Sequence, residues 1–489
     1  MKITIYKSIF FSLLCAGMVS CKKDFLHLVP QGEQVAVTTN DYSLLMNDAN
    51  LSQYTFAGGW QGEVIMGDEV AAESSKFSAA NLPTQSAFRW DDQIFQIADI
   101  DWSTRLWLEK LYQINKVINE VSQSSGGTDQ QKKEVLAEAQ ASRAWVYFQL
   151  INFYGKPYVA STAGTDPGFP IILTADITTA KFTRNTVQEV YDFIIKDFTA
   201  AIPNLPVNSL NGIHFNKAAA EGLLGKVYLY MGKNTDALAQ FNLCFNDNAA
   251  RSVPAHLYNY NTAFAPGGIF TPMTDNGPNN SPGFNYNDFT ESIVSKSFYN
   301  YTYNGNGFGN DAFVLDPKAA ALFGSSDLRL KFYAAQFPNN VPNPSGRLRK
   351  FGVEFTQFGL QLPELYLLSA EVKARLNDLA GAKTDVETLR KNRMPEADAT
   401  VPVFAAGSQA ALIRFIFDER LREFAMEGYR WFDMRRNSVD PIFSGQTYTH
   451  TLYNNADNTT TTYTLRPVRL TLKLPLSITS VNPDMVNNP

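Results

Sequence analysis

Residues 217 to 246 describe two amphipathic helices folded back on one another. Ala220, Leu224, Val227, Tyr228 and Met231 recur at three- and four-residue intervals, the spacing that gathers side chains on one helical face. Gly232-Lys233-Asn234 then turns the chain, and Ala237, Leu238, Phe241 and Phe245 carry the pattern back. A short turn between two apolar faces predicts an antiparallel helix pair. The same grammar returns at 363 to 392, where Tyr366, Leu367, Ala370 and Ala374 precede the turn Asn377-Asp378-Leu379, and Ala382, Val386 and Leu389 follow it.

A helix, a tight turn and a second helix with Ala-rich packing resemble a tetratricopeptide unit. The two copies lie about 145 residues apart, so the array is interrupted and has no strict period. Further helices are predicted over 104 to 121 (Leu106, Trp107, Leu111, Ile114, Val117, Ile118, Val121), 129 to 153 (Val135, Leu136, Ala139, Tyr147, Phe148, Ile151) and 187 to 202. Another runs from Leu412 through Phe424 to Gly428, and a first short one has Asp41 as its expected N-cap. The Thr- and Tyr-rich segment 446 to 464, with its tip at Asn454-Asn455-Ala456-Asp457-Asn458, reads as a β-hairpin. The fold class is therefore all-α dominated: tetratricopeptide-like helix pairs packed with one region that breaks the helical grammar.

That region is 252 to 312, which holds twelve aromatic residues, eleven Asn, seven Gly and one Lys or Arg, Lys296. A long stretch of this kind inside a globular chain usually serves function. Sugar faces carry weakly apolar C–H patches that stack on aromatic rings, while their hydroxyls need amide and carboxylate partners. The candidate ligand-binding rings are Tyr258, Tyr260, Phe284, Tyr286, Tyr299, Tyr301 and Tyr303, with Asn285, Asn287, Asn300 and Asn304 as polar partners. Trp60, Phe77 and Trp90 form a second candidate group, since exposed large apolar rings usually mark a binding surface.

The first twenty residues set Lys2 and Lys7 before an apolar run from Ile9 to Val19. That run is too short to span a bilayer and reads as an export signal. Ser20-Cys21 closes it in the manner of a bacterial lipobox, with Cys21 as the site of lipidation. Beyond it, no run approaches the length of a membrane-spanning helix. The formal charge is −5, and no cluster of Lys and Arg of nucleic-acid type occurs, so nucleic acid is not an expected partner. Three cysteines, Cys15, Cys21 and Cys244, make no disulfide framework, and Cys244 is expected to be a small buried hydrophobe.

Motifs for chemistry are sparse. The four His are scattered without metal-ligand spacing, so no metal site is expected, and no cofactor loop is present. Gly222-Leu223-Leu224-Gly225-Lys226 is too short for a phosphate loop and falls mid-helix. The block Asp418 to Arg436 offers Glu423 and Glu427 at a four-residue spacing, which admits a surface glycoside hydrolase as an alternative. The interleaved arginines instead predict ionised, paired carboxylates and no catalytic residue.

Taken together and in order, these motifs resemble the SusD/RagB family of nutrient-binding outer-membrane lipoproteins. The resemblance rests on Cys21 with Lys22-Lys23-Asp24-Phe25, on Glu138 to Phe148 with Tyr154-Gly155, and on Lys217 to Gly232. It rests further on Glu291 to Val294, on Asp327-Leu328-Arg329, and above all on Glu419 to Arg436 with its Glu427-Gly428-Tyr429-Arg430-Trp431-Phe432-Asp433 core. It implies a signal peptide over 1–20 and a single SusD-like domain over 21–489, with the loop-rich insertion 252–312. It also implies a non-enzymatic protein lipid-anchored to the outer membrane and facing the cell exterior. There it would capture an oligosaccharide, or in some members a peptide, for a SusC-like TonB-dependent transporter partner. Arg430, Trp431 and Asp433 are implied to be markers of the fold and not ligand contacts.

Overall fold

The long helices start where a side chain caps the first turn. Thr128 and Thr186 each accept the N–H three residues on, and Gln131 and Glu189 reach back to the capping backbone, which satisfies two otherwise unmade donors at each end. Asn216, Asp378 and Ser408 cap further helices with their side-chain oxygens. The computed structural model describes residues 36–489 except 55–60, 100–103, 177–180, 275–276, 300–311, 337–341, 343–344 and 351–354. The signal segment and Cys21 lie outside the described residues. In the first helix, Thr39–Met46, Thr38 is the N-cap and Asp41 completes the box from the third position, which corrects the expected role of Asp41.

Successive helices pack side by side: Thr104–Glu120 on Asp129–Tyr154, the latter on Val187–Ala201, and that on Lys217–Tyr230, which pairs with Asn234–Ala249. Asn234–Ala249 then packs directly on Leu362–Arg375, itself paired with Leu379–Lys391 and with Gln409–Phe424. The array that is interrupted in sequence is thus continuous in space, and the described residues between 252 and 361 loop out of it. Trp107, Trp145, Tyr147, Tyr191 and Trp431 are buried in its core.

Two glycines allow the closest approach inside the 217–249 pair. A Cβ on Gly225 would stand 2.6 Å from the Phe241 ring, and one on Gly222 would stand 2.3 Å from Leu360 and 2.8 Å from the Cys244 sulfur. The glycines of the phosphate-loop lookalike are therefore contact points between helices, and Cys244 is a buried thiol that burial pushes well above its usual pKa. Gly225→Ala is expected to lower the urea midpoint, since overpacking costs about 1–3 kcal/mol against a helix-propensity gain of about 1 kcal/mol. A midpoint that rises instead would mean the two helices are farther apart than described.

The helix expected to run to Gly428 ends at Phe424. Met426 and Gly428 both adopt positive φ, 60° and 90°, and a second helix, Tyr429–Asn437, starts afresh. Glu427 therefore sits in the turn, off the helical face of Glu423. The predicted hairpin is present as Thr449–Asn454 paired with Thr459–Thr464, and it joins Val70–Glu73 and Phe313–Leu315 in a four-stranded sheet. A second sheet orders Gln53–Tyr54, Ser297–Tyr299 and Phe355–Gln357, with Tyr54 opposite Phe298 and Phe355 opposite Tyr299.

Candidate functional site

The arginine-rich block folds into a buried ion network. Glu419 is fully buried; its Oε1 accepts Arg329 Nη2 at 2.8 Å, and its Oε2 accepts Arg390 Nη1 at 2.7 Å and Arg422 Nε at 3.0 Å. Glu423 accepts Arg393 Nε and Arg329 Nη1, both at 2.9 Å, while Arg393 also reaches Glu291 at 2.7 Å and Arg329 holds Asp327. Burial alone would raise these carboxyls, but the surrounding guanidinium groups overcome it and hold Glu419 and Glu423 below the ordinary carboxylate range.

Glu427 answers to Lys350 at 2.5 Å, and its pKa is raised because burial and the charge of Glu423 outweigh that lysine. The cavity that Glu423 and Glu427 line holds about 70 Å³, less than half the roughly 150 Å³ that admits benzene. Paired to cations beside so small a space, they brace the fold, and the cavity has no room for a sugar ring.

The open surface lies elsewhere in the irregular region. Pro282-Gly283 turns the chain, with Gly283 at φ 72° and Phe284 N–H bonded to Ser281 O. Phe284 to Asn287 are exposed as a consecutive set, with Phe284 at 45% and Tyr286 at 40%. The turn is fixed from beneath, because the Phe355 N–H donates to Gly283 O at 2.7 Å and the Tyr286 ring stands edge-on to Phe355 at 5.6 Å. Phe289, Thr290 and Ser292 then line a cleft of about 480 Å³, with Asn208, Asn211, Arg251 and His256 among its other walls. That volume falls within the usual range of ligand pockets.

The other expected rings divide by their surroundings. Phe77 is buried against Phe88 and Phe313. Trp90 stacks at 3.7 Å on His450 and donates its indole N–H to Met66 O. Tyr260 is enclosed by Phe264, Phe270 and Phe332, with the Arg393 guanidinium 4.2 Å above it. These three are core residues, a correction to the expectation that they meet ligand, because each ring spends its faces on internal partners. Tyr258 is half-buried, and its hydroxyl is bound to Asp288 and Thr290. Tyr299 is paired in its strand, but its side chain lies outside the described residues, as do Trp60, Asn300, Tyr301, Tyr303 and Asn304 wholly. Sequence reasoning did not single out Phe355, which supports the exposed turn from a strand about seventy residues on. Asn208 and Asn211 escaped it too, since they precede the aromatic-rich stretch.

A stack of antiparallel helix pairs that projects a loop-built, ring-bearing cleft defines a helical binding protein. Two family models match it at opposite ends: one described as starch-binding and associating with the outer membrane, over residues 39–229, and the SusD family model over 360–489. The chain belongs to the SusD/RagB family.

A SusD-like protein of Bacteroides ovatus is 27% identical over 224 residues, 43% of this chain and 36% of that protein. The chain thus matches only about a third of the length of that curated relative. The crystal structure of a SusD superfamily protein from Bacteroides thetaiotaomicron superposes with a TM-score of 0.68 at 17% identity, covering 93% of this chain and all of that one. A laminarin-binding SusD-like protein superposes at 0.61 with 18% identity, covering 92% and 98%. These likenesses establish the fold. No described helix is long and apolar enough to cross a membrane.

Proposed function

We propose that this chain is a cell-surface lipoprotein, anchored through lipid on Cys21, that captures oligosaccharides and delivers them to a TonB-dependent outer-membrane transporter. The observation that carries the reading is the run Phe284-Asn285-Tyr286-Asn287, two exposed rings alternating with two amides on a turn that Phe355 fixes from beneath. Rings supply stacking faces for the sugar and amides supply partners for its hydroxyls. Family membership and the laminarin-binding neighbour point the same way.

Calorimetry of the chain from residue 22 onward against soluble oligosaccharides, laminarin fragments first, is expected to give saturable heat. In the double variant Phe284→Ala with Tyr286→Ala the affinity should fall by roughly tenfold or more, about 1.4 kcal/mol, with a cooperative thermal transition retained, since within the fold Tyr286 gives up its edge contact with Phe355 and no core partner. Heat from peptides alone would move the protein to peptide capture. Release of reducing ends that is abolished in Glu423→Gln would overturn the binding-only reading.

A further inference from the structure

On the helical stack, a cleft of about 240 Å³ opens between the 152–160 segment, the end of the Lys217–Tyr230 helix and the Tyr429–Asn437 helix. Three guanidinium groups line it: Arg375, Arg435 and Arg436. Arg375 is paired with Glu371 at 2.9 Å and with Asp440 at 2.6 Å, and Arg436 forks onto both oxygens of Glu371 at 2.9 Å. Arg435 has no carboxylate among the described residues. It is 2% exposed, Nη2 donates to Gly155 O at 2.6 Å, and Nε and Nη1 have no hydrogen-bond partner.

Following the pairs outward does not balance the charge. Arg436 also touches Asp433, which belongs to Arg420, and Arg420 and Lys226 share Glu364. Cations therefore exceed carboxylates by one, and the excess falls on Arg435. A buried charge without a partner is costly, and an arginine does not shed its proton near neutral pH; burial pushes this one down only to about 10. Tyr191 and Tyr230 lie beside it on the cleft wall, with hydroxyls able to donate to an oxygen.

We infer that this cleft binds a small oxyanion, a carboxylate or phosphate group, seated against the unmade donors of Arg435. Its volume is below that of a pocket for an oligosaccharide, so the site is separate from the ring-bearing cleft, and the inference does not depend on the proposed glycan binding. The group can belong to a free ion or be carried on a larger molecule.

Calorimetry and thermal unfolding of the full mature chain at constant ionic strength, with inorganic phosphate, acetate and galacturonic acid each replacing chloride, test this. Saturable binding of at least one, with a melting temperature raised above the chloride control, is expected. Response to galacturonic acid alone would assign the group to a carried carboxylate, and response to phosphate or acetate to a free ion. Arg435→Gln should weaken binding tenfold or more. Because that residue is buried, Ala160→Trp, an exposed rim position, serves as a second variant that obstructs the cleft and leaves the melting temperature in chloride unchanged. Absence of saturable binding to the wild type, or equal binding by the Ala160→Trp protein, overturns the inference.

Discussion

Glu419→Ala is expected to destabilise the protein by about 3–5 kcal/mol, the usual cost of removing one member of a buried ion cluster. The carboxylate is fully buried and is shared by Arg329, Arg390 and Arg422, each itself buried. Its loss leaves Arg329 with Asp327 and Glu423, while the remaining hydrogen bonds of Arg390 and Arg422 among the described residues go to backbone carbonyls. The penalty is that of stranded charge: replacing the whole cluster by apolar residues need not be destabilising, whereas removing one partner is.

Urea denaturation of Glu419→Ala beside Glu396→Ala checks it. Glu396 meets Lys391 on the surface with 80% of its side chain exposed, and exposed pairs contribute about 0–1 kcal/mol. Equal midpoints for the two variants would sink the network as the brace that joins the Gln409–Phe424 helix to the Leu379–Lys391 helix and to the looped-out Asp327 segment. If the Glu419 variant does not accumulate as folded protein, Arg422→Met supplies a milder form of the test, since Glu419 then keeps two of its three partners.

The helical scaffold was legible because its signal is local. The three- and four-residue spacing in 217–246 and 363–392 depends only on neighbours in sequence, and both pairs fold where the pattern puts them. The hairpin at 449–464 was legible for the same reason, with its turn residues at the tip. Direction of burial was not. Tyr260 and Tyr286 have the same local setting, aromatic residues flanked by Asn, yet Tyr260 lies under Arg393 and Tyr286 faces outward on Phe355. Both partners are more than sixty residues away.

Trp90 shows the same limit. Its burial is fixed by His450, 360 residues along the chain. Within the signature block, Arg435 and Arg436 are adjacent and alike, but Glu371 of another helix takes only the second. Glu423 and Glu427 keep the spacing of helical neighbours, and the positive φ of Met426 and Gly428 separates them. A repeat of four reveals a shared face only where the helix continues.

Glu69 gives the fold a pH dependence of a sign opposite to that of its ion pairs. It is 1% exposed; Oε1 accepts the Met426 N–H at 3.1 Å, and Oε2 has no partner. Burial, aided by the negative charge of Asp68 and opposed by Arg430, pushes it up to about 7. Arg430 cannot neutralise it fully, being committed to Asp68 at 2.6 Å.

A raised folded-state pKa contributes stability that is fully present below the unfolded value, near 4.5, and is lost as pH rises through about 7. The shift corresponds to about 3 kcal/mol across that window. Glu371 runs the other way. Burial would raise it, but Arg436 and Arg375 hold it at about 2, so its contribution is present above 4.5 and lost as pH falls toward 2. The slopes of these two groups oppose one another, and their joint contribution is largest near pH 4.5.

Glu69→Gln keeps the shape of the protonated acid and cannot ionise. Its unfolding free energy from urea denaturation should match the wild type near pH 4.5 and exceed it increasingly above that, by about 3 kcal/mol at pH 8. Glu221, also raised to about 7 by burial and by Asp247, adds a slope common to both proteins, so the difference between them isolates Glu69. Parallel curves from pH 4.5 to 8 would show that Glu69 is ionised in the folded protein, held so by Arg430, and that the turn from Phe424 to Tyr429 is built around a charge and not around a neutral acid.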